Sequence, residues 1–193
     1  DDERLARLAL MMILTLRGTP ILYYGDELAM RETLVPPERE VDPVALQRDP
    51  RRPGRDGART PMPWTAGDGA GFTAPGVEPW LPLGDLSRNV EAQREDPHSP
   101  LRLVRDLIAL RRARPDLTSG SYRQLEAPDG AWAWRRGEET VVALNFGRVP
   151  VELAVSGDVL VGTDRERDGE TISGSLRLGP AEGVVVALTP RAQ

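Results

Sequence analysis

Asp26 and Glu27 stand side by side directly after the apolar run "TPILYYG" (Thr19 to Gly25). Two adjacent carboxylates invite an acid/base reading. Residues adjacent on an extended chain point in opposite directions, however. Carboxylates that work as a pair on a sugar linkage must instead flank one bond from two sides, roughly 5 to 9 Å apart. Support of neighbouring groups, or anchoring of the loop that follows, is the expectation for this pair.

A second constellation lies in "RDGARTPMPW" (Arg55 to Trp64). Arg55 and Arg59 are four residues apart, with Asp56 and Gly57 between them and Pro61 and Pro63 after them. A guanidinium is a planar, permanently charged donor that can grip a carboxylate or vicinal hydroxyls. Proline and glycine would fix where it points. The opposing reading is that one or both arginines pair with Asp56 or another loop acid and simply hold the loop. The residues alone leave both readings open. Trp64, Phe72 and Trp80 offer flat apolar faces on which a sugar ring could stack. In a loop with few other apolar residues they are expected to form the loop's own small core. Trp132 and Trp134 share one face of a strand, where packing is the default. His98 is the sole histidine and there is no cysteine. Histidine-rich metal sites and thiolate chemistry are therefore excluded, and no cofactor or metal is expected.

These residues need elements to hold them. "DDERLARLALMMILTLRG" reads as a helix, with acids in its first turn and Leu5, Leu8, Met12 and Leu16 at helical spacing. Its near-continuous apolar stretch implies packing on more than one side. Thr19 to Gly25 reads as a buried parallel strand. Helix, tight turn and buried strand are half of a repeating α/β unit. From Arg31 to Asn89 the periodicity disappears, and ten of the 18 prolines lie there. A structureless stretch this long inside a compact domain is usually functional, or a sign that an element there is wrongly assigned. "SPLRLVRDLIALRRARPDL" is again a helix, opened by Ser99 and Pro100 and ended by Pro115. Short β-forming runs then alternate with turn residues such as Asp129-Gly130 and Arg136-Gly137, which reads as an antiparallel sandwich. The expected domains are residues 1–116 and 117–193.

Composition narrows the classes. Hydrophobic residues make up 39% of the 193 and the net charge is −5, which fits a globular chain and argues against a nucleic-acid binder. All 25 basic residues are arginine, so an isolated arginine carries little functional information. The most apolar run, Leu8 to Leu16, is far shorter than the roughly 20 residues a membrane span needs. No signal peptide is evident and a cytoplasmic location is expected. The chain opens on Asp1-Asp2-Glu3 rather than methionine and enters a helix at once, so the true N-terminus is expected elsewhere.

"GTPILYYGDELAM", "RDGARTPMPW", "GFTAPGVEPWLPL" and "NVEAQREDPHSPLRLVRDLIALRR" occur in that order. Together they resemble the C-terminal third of the α-amylase superfamily of glycoside hydrolases, and more closely its α-glucosidase and oligo-1,6-glucosidase branch. The resemblance covers residues 1 to about 115; the later β segment resembles the family's C-terminal sandwich in pattern alone. It implies the last portion of a TIM (β/α)8 barrel followed by an antiparallel β-sandwich, an α/β plus all-β chain. Residues 1–17 would be the seventh barrel helix, 19–25 the eighth strand, and 100–114 the eighth helix. The family's catalytic trio of two aspartates and a glutamate belongs to earlier strands, and the Asn-His-Asp motif that carries the last of them is absent here. The chain alone is therefore expected to be inactive. The resemblance also implies that Arg59 binds the terminal glucose of an oligosaccharide of maltose or isomaltose type, with Arg55 nearer the rim. Pro63 stands where the family often has glutamine. Implied alternatives are a transglycosylase such as a trehalose synthase, or a non-catalytic carbohydrate-binding or scaffold protein with an open aromatic platform. Self-association of an incomplete barrel is expected.

Overall fold

The computed structural model describes residues 2–46 and 54–189, so the outer ends of both expected domains lie outside the described residues. In chain order the helices are α1 (Glu3–Thr15), α2 (Pro43–Leu46), α3 (Val90–Glu95), α4 (Pro100–Ala113) and α5 (Pro115–Thr118). Eight strands follow: β1 (Tyr122–Leu125), β2 (Ala131–Arg136), β3 (Thr140–Asn145), β4 (Val151–Leu153), β5 (Gly157–Gly162), β6 (Thr171–Ile172), β7 (Leu176–Leu178) and β8 (Glu182–Leu188). The chain falls into two compact units, one of residues 23–101 and one of residues 2–22 with those from 102 onward.

The second unit carries the sheets. Six strands pair in the order β1-β2-β3-β8-β5-β6, and β4 pairs with β7. Every pairing is antiparallel, as the turn-punctuated β runs predict. Period-two alternation sorts the large sheet's side chains onto two faces. Ala133, Val141, Ala143, Val184 and Val186 share one core with Val151, Leu153, Leu176 and Leu178 of the small sheet. Trp134, Val142, Leu144 and Val185 point the other way, onto Leu8, Met11 and Leu14 of α1 and Leu103 and Leu107 of α4. The register shift between Val159 and Val161 in β5 is a bulge that breaks the alternation, so Val159 joins the first core and Val161 the second. Helices α1 and α4, grouped with the earlier region on sequence grounds, thus share a core with the strands. Gly183 permits the closest approach: a Cβ there would lie 2.7 Å from Leu8 Cδ2.

Two guanidinium groups hold the end of α1. Arg111 donates to the Leu14, Leu16 and Gly18 carbonyls at 2.7, 3.1 and 2.6 Å. The fully buried Arg136 donates to the Thr15 carbonyl at 2.6 Å. Cations belong at a helix C-terminus, where the last carbonyls lack intrahelical partners. The strand expected over Thr19–Gly25 does not form; these residues run as coil into a turn. A parallel strand exists through ladder bonds to its neighbours, and no ladder partner for residues 19–25 forms among the described residues.

The first unit is built of turns. One-turn 3₁₀ segments occur at Asp26–Leu28, Pro37–Arg39, Asp56–Arg59 and Asp68–Gly71. Its buried cluster is small: Leu28, Met62 and Val90, with Met30 and Leu101 against them. Gln93 ties it together, donating from Nε2 to the Leu28 carbonyl at 3.0 Å and accepting the Leu101 N–H at 3.1 Å. No described helix is long and apolar enough to cross a membrane.

Candidate functional site

The segment Arg55–Trp64 is fixed at both ends. At its far end the Pro63 and Trp64 carbonyls accept the first N–H groups of α3, from Val90 at 2.9 Å and Glu91 at 3.0 Å. Asn89 caps the same helix through the Ala92 N–H. Proline lacks an N–H but keeps its carbonyl, so Pro63 serves this anchor and its ring is buried. At the near end Asp56 and Asp42 do the work. Asp56 Oδ2 accepts the N–H groups of Val41 and Asp42, both at 2.8 Å. Asp42 accepts the Arg55 N–H and Nε at 2.7 Å and Nη2 at 2.8 Å. The Arg55 guanidinium holds the Asp42 carboxyl well below its usual range, aided by the Arg55 and Val44 N–H groups and opposed by burial. Gly57 is required by packing: a Cβ there would lie 2.6 Å from the Thr33 carbonyl oxygen.

Of the two readings open for Arg55, pairing with a loop acid is the one displayed. Arg59 differs. Its Nη1 is 3.9 Å from Asp56 Oδ1 and 4.0 Å from Asp42 Oδ2. These are long contacts rather than hydrogen bonds, and its side chain keeps 35% of its surface open. It lines a cavity of about 570 Å³ together with Tyr23, Tyr24, Glu27, Pro61 and Met62. Trp64, Phe72 and Trp80 complete the wall. These three rings are 45, 48 and 56% exposed, so they are not the loop's core as expected. Leu28, Met62 and Val90 fill that role, and the flat rings are left facing the cavity. Tyr23 and Tyr24 pack with ring centroids 4.7 Å apart. The Tyr24 hydroxyl donates to the Thr60 carbonyl at 3.1 Å, and burial, then Tyr23, pushes its phenol above the ordinary value.

Asp26 and Glu27 sit in a 3₁₀ turn rather than on an extended strand. Asp26 accepts the Tyr23 N–H and Glu27 the Gly25 N–H, each at 2.8 Å. Both carboxylates close the turn, and Glu27 also lines the cavity. Trp132 and Trp134 pack on each other, centroids 4.8 Å apart, with Trp134 fully buried. The described residues contain no group of acids and histidines suited to a metal ion. Sequence reasoning missed Asp42, which the stretch without periodicity concealed. Its signal was Asp42-Pro43, a helix-start pair, and Asp42 Oδ1 does accept the Val44 N–H at 3.1 Å.

A small cavity walled by aromatic rings with one weakly engaged guanidinium is the form of a site for a neutral polar molecule with flat faces. The comparisons with known proteins agree on the class. The α-amylase catalytic-domain family matches residues 1–120, and the chain belongs to that family of glycoside hydrolases. It is 36% identical over 148 residues to a probable α-glucosidase of Rhizobium meliloti, covering 75% of this chain and 26% of that protein. It is 35% identical over 167 residues to the trehalose-6-phosphate hydrolase of Escherichia coli, covering 74% and 30%. The crystal structure of the α-glucosyl transfer enzyme XgtA superposes with a TM-score of 0.81 at 34% identity, over 97% of this chain and 36% of that one. The chain thus spans about a quarter to a third of the length of these relatives.

Proposed function

We propose that the chain is the C-terminal part of a retaining α-glucosidase that removes glucose from the non-reducing end of α-linked oligosaccharides, with Arg59 binding the terminal glucose. The observation that carries this reading is the placement of Arg59: beside an aromatic-walled cavity, engaged among the described residues through long ion pairs at 3.9 and 4.0 Å. A guanidinium donates charge-assisted hydrogen bonds to vicinal hydroxyls, and ring faces shed water onto the apolar face of a sugar. Arg55, held by Asp42, keeps the loop in shape. The covalent glycosyl-enzyme step of a retaining enzyme needs two carboxylates. On this reading other segments of the parent enzyme supply them, because Asp26 and Glu27 close a turn.

The test is made in the full-length enzyme. Arg59→Ala should cost roughly 2–4 kcal/mol of transition-state binding, about 30- to 1000-fold in kcat/KM on maltose and isomaltose. Arg59→Lys should recover only part, since a point charge cannot reproduce the planar fork. A variant with lower Tm but unchanged kcat/KM in its folded fraction would remove Arg59 from the substrate site.

A second reading within the family is glucosyl transfer, as in a trehalose synthase or another transglycosylase. The likeness to an α-glucosyl transfer enzyme favours it. Product analysis at high maltose separates the two: free glucose for hydrolysis, trehalose or longer saccharides for transfer. A non-catalytic binding role would need an open aromatic platform on the sandwich. Among the described residues of that unit, Phe146 is the one large aromatic that is exposed, and a single ring is a poor platform.

A further inference from the structure

We propose that Asp56 is the positioning residue of Arg59, one carboxylate oxygen fixing the loop and the other held open to orient the guanidinium. The proposal rests on the reading of Arg59 as the glucose ligand. Asp56 is 2% exposed. Its Oδ2 is saturated by the Val41 and Asp42 N–H groups. Its Oδ1 is buried and accepts no hydrogen bond among the described residues. A buried carboxylate oxygen left unpaired is costly, and Arg59 supplies a cation 3.9 Å away.

The local geometry explains the pairing. Asp56 and Arg59 are three residues apart in a single 3₁₀ turn, where side chains at i and i+3 eclipse one another. The turn therefore stacks the guanidinium over the carboxylate. Asp42, the other acid within reach, is occupied by Arg55 through three hydrogen bonds. Asp56 Oδ1 is left as the acceptor for Arg59. A guanidinium has five N–H donors, so one edge can answer Asp56 while the rest of the fork faces the cavity. The sugar then meets an arginine whose direction is already set, which lowers the ordering cost of binding.

The test exchanges one atom. Asp56→Asn keeps an amide oxygen for the Val41 and Asp42 N–H groups but turns an NH₂ toward Arg59. In the full-length enzyme this should raise KM for maltose about tenfold with Tm moved by no more than about 2 °C. In an Arg59→Ala background the same exchange should change KM by less than about twofold. Asp56→Glu should lie between wild type and Asp56→Asn. An equal KM penalty with and without Arg59 would overturn the proposal, as would a penalty matched by loss of Tm. If Arg59→Ala leaves KM unchanged, the substrate reading fails instead, and NMR of this chain decides the proposal. Rotation of the Arg59 guanidinium about Cζ–Nε should be slowed in the wild-type chain and released by Asp56→Asn. Free rotation in the wild type overturns the proposal without any variant having to fold.

Discussion

The two units of the chain are held together by different physics. Residues 23–101 gather one small apolar cluster of three buried side chains, with Val35, Ala70 and Leu81 buried apart from it, and otherwise depend on 3₁₀ turns, prolines and carboxylate-to-N–H bonds. Residues 2–22 with those from 102 onward bury two full apolar layers on either side of one sheet. The candidate cavity lies in the first unit, where side chains are aimed by charge and turn geometry. The second unit spends its residues on packing. Polar restraint fixes direction at small net gain, because each bond replaces one to water. Apolar burial gives stability without direction. A site built the first way can hold an incompletely satisfied Asp56 and Arg59.

The contrast is broken most severely in the second unit. Trp134 of β2 is fully buried between the large sheet and the helices, in the cluster with Leu8 and Leu103. Trp134→Ala should lower the unfolding free energy of the second unit by about 3–5 kcal/mol, read as a shift of the denaturant midpoint. Trp134→Phe should cost much less than the alanine change, because the indole N–H has no partner to lose among the described residues. Equal costs would mean that this face of the sheet is not packed.

A smaller effect is expected at Arg136, where the packed unit borrows the polar strategy. Its Nη1 donates to Thr15 and its other nitrogens reach the Ser121 and Gly120 carbonyls at 3.4 and 3.3 Å. Burial, then the nearby positive charge of Arg111, lowers its basicity, yet a guanidinium remains charged. Arg136→Met fills similar volume and removes a buried charge, which by itself can be neutral. It also strips donors from the end of α1. The net cost should be about 1–3 kcal/mol, and circular dichroism with a denaturant titration will read it. A variant as stable as wild type would show that Arg111 alone suffices to cap α1.

The two units were also unequally legible. The continuous β-forming runs "TVVALNFG" and "GVVVALT" mark β3 and β8, which are buried on both faces, while their pairing with each other appears only in the structure. Helices α1 and α4 are announced by acidic and Pro-led starts. The bulge in β5 has no such mark, because Val159 and Val161 look alike in a row of β-formers. Thr19–Gly25 carries strand propensity without a ladder partner among the described residues, and propensity yields to that. In the first unit the family motif located Arg55 and Arg59 and set Arg55 nearer the rim, but did not show the acid that makes them differ in the structure. That difference depends on Asp42, thirteen residues before Arg55, and a contact across that span leaves no periodic trace. The three aromatic rings were misjudged for a related reason: a loop's core is decided by which side chains its turns aim inward.

The smallest effect is the most telling, because it separates the units by pH. Asp42 has its carboxyl held below the ordinary value of 3.8, first by the Arg55 guanidinium. A depressed carboxylate contributes stability that is present above its unfolded value and is lost as pH falls through the folded one. The contribution is therefore complete near neutrality and begins to fail below about pH 4. The second unit has depressed carboxylates too, Asp2 beside Arg4 and Glu170 beside Arg167, but neither belongs to its apolar layers. Hydrogen exchange read as protection factors, which removes the intrinsic pH dependence, should expose the order. The amide of Arg55, bonded to Asp42, should lose protection as the solution is acidified. The amides of β3 should keep theirs to lower pH. Asp42→Asn should show the same loss for Arg55 already at pH 7, since an amide cannot hold the guanidinium as a carboxylate does. If Arg55 and β3 lose protection together at every pH, the two units unfold as one, and the division of labour between charge-set direction and apolar stability does not exist in this chain.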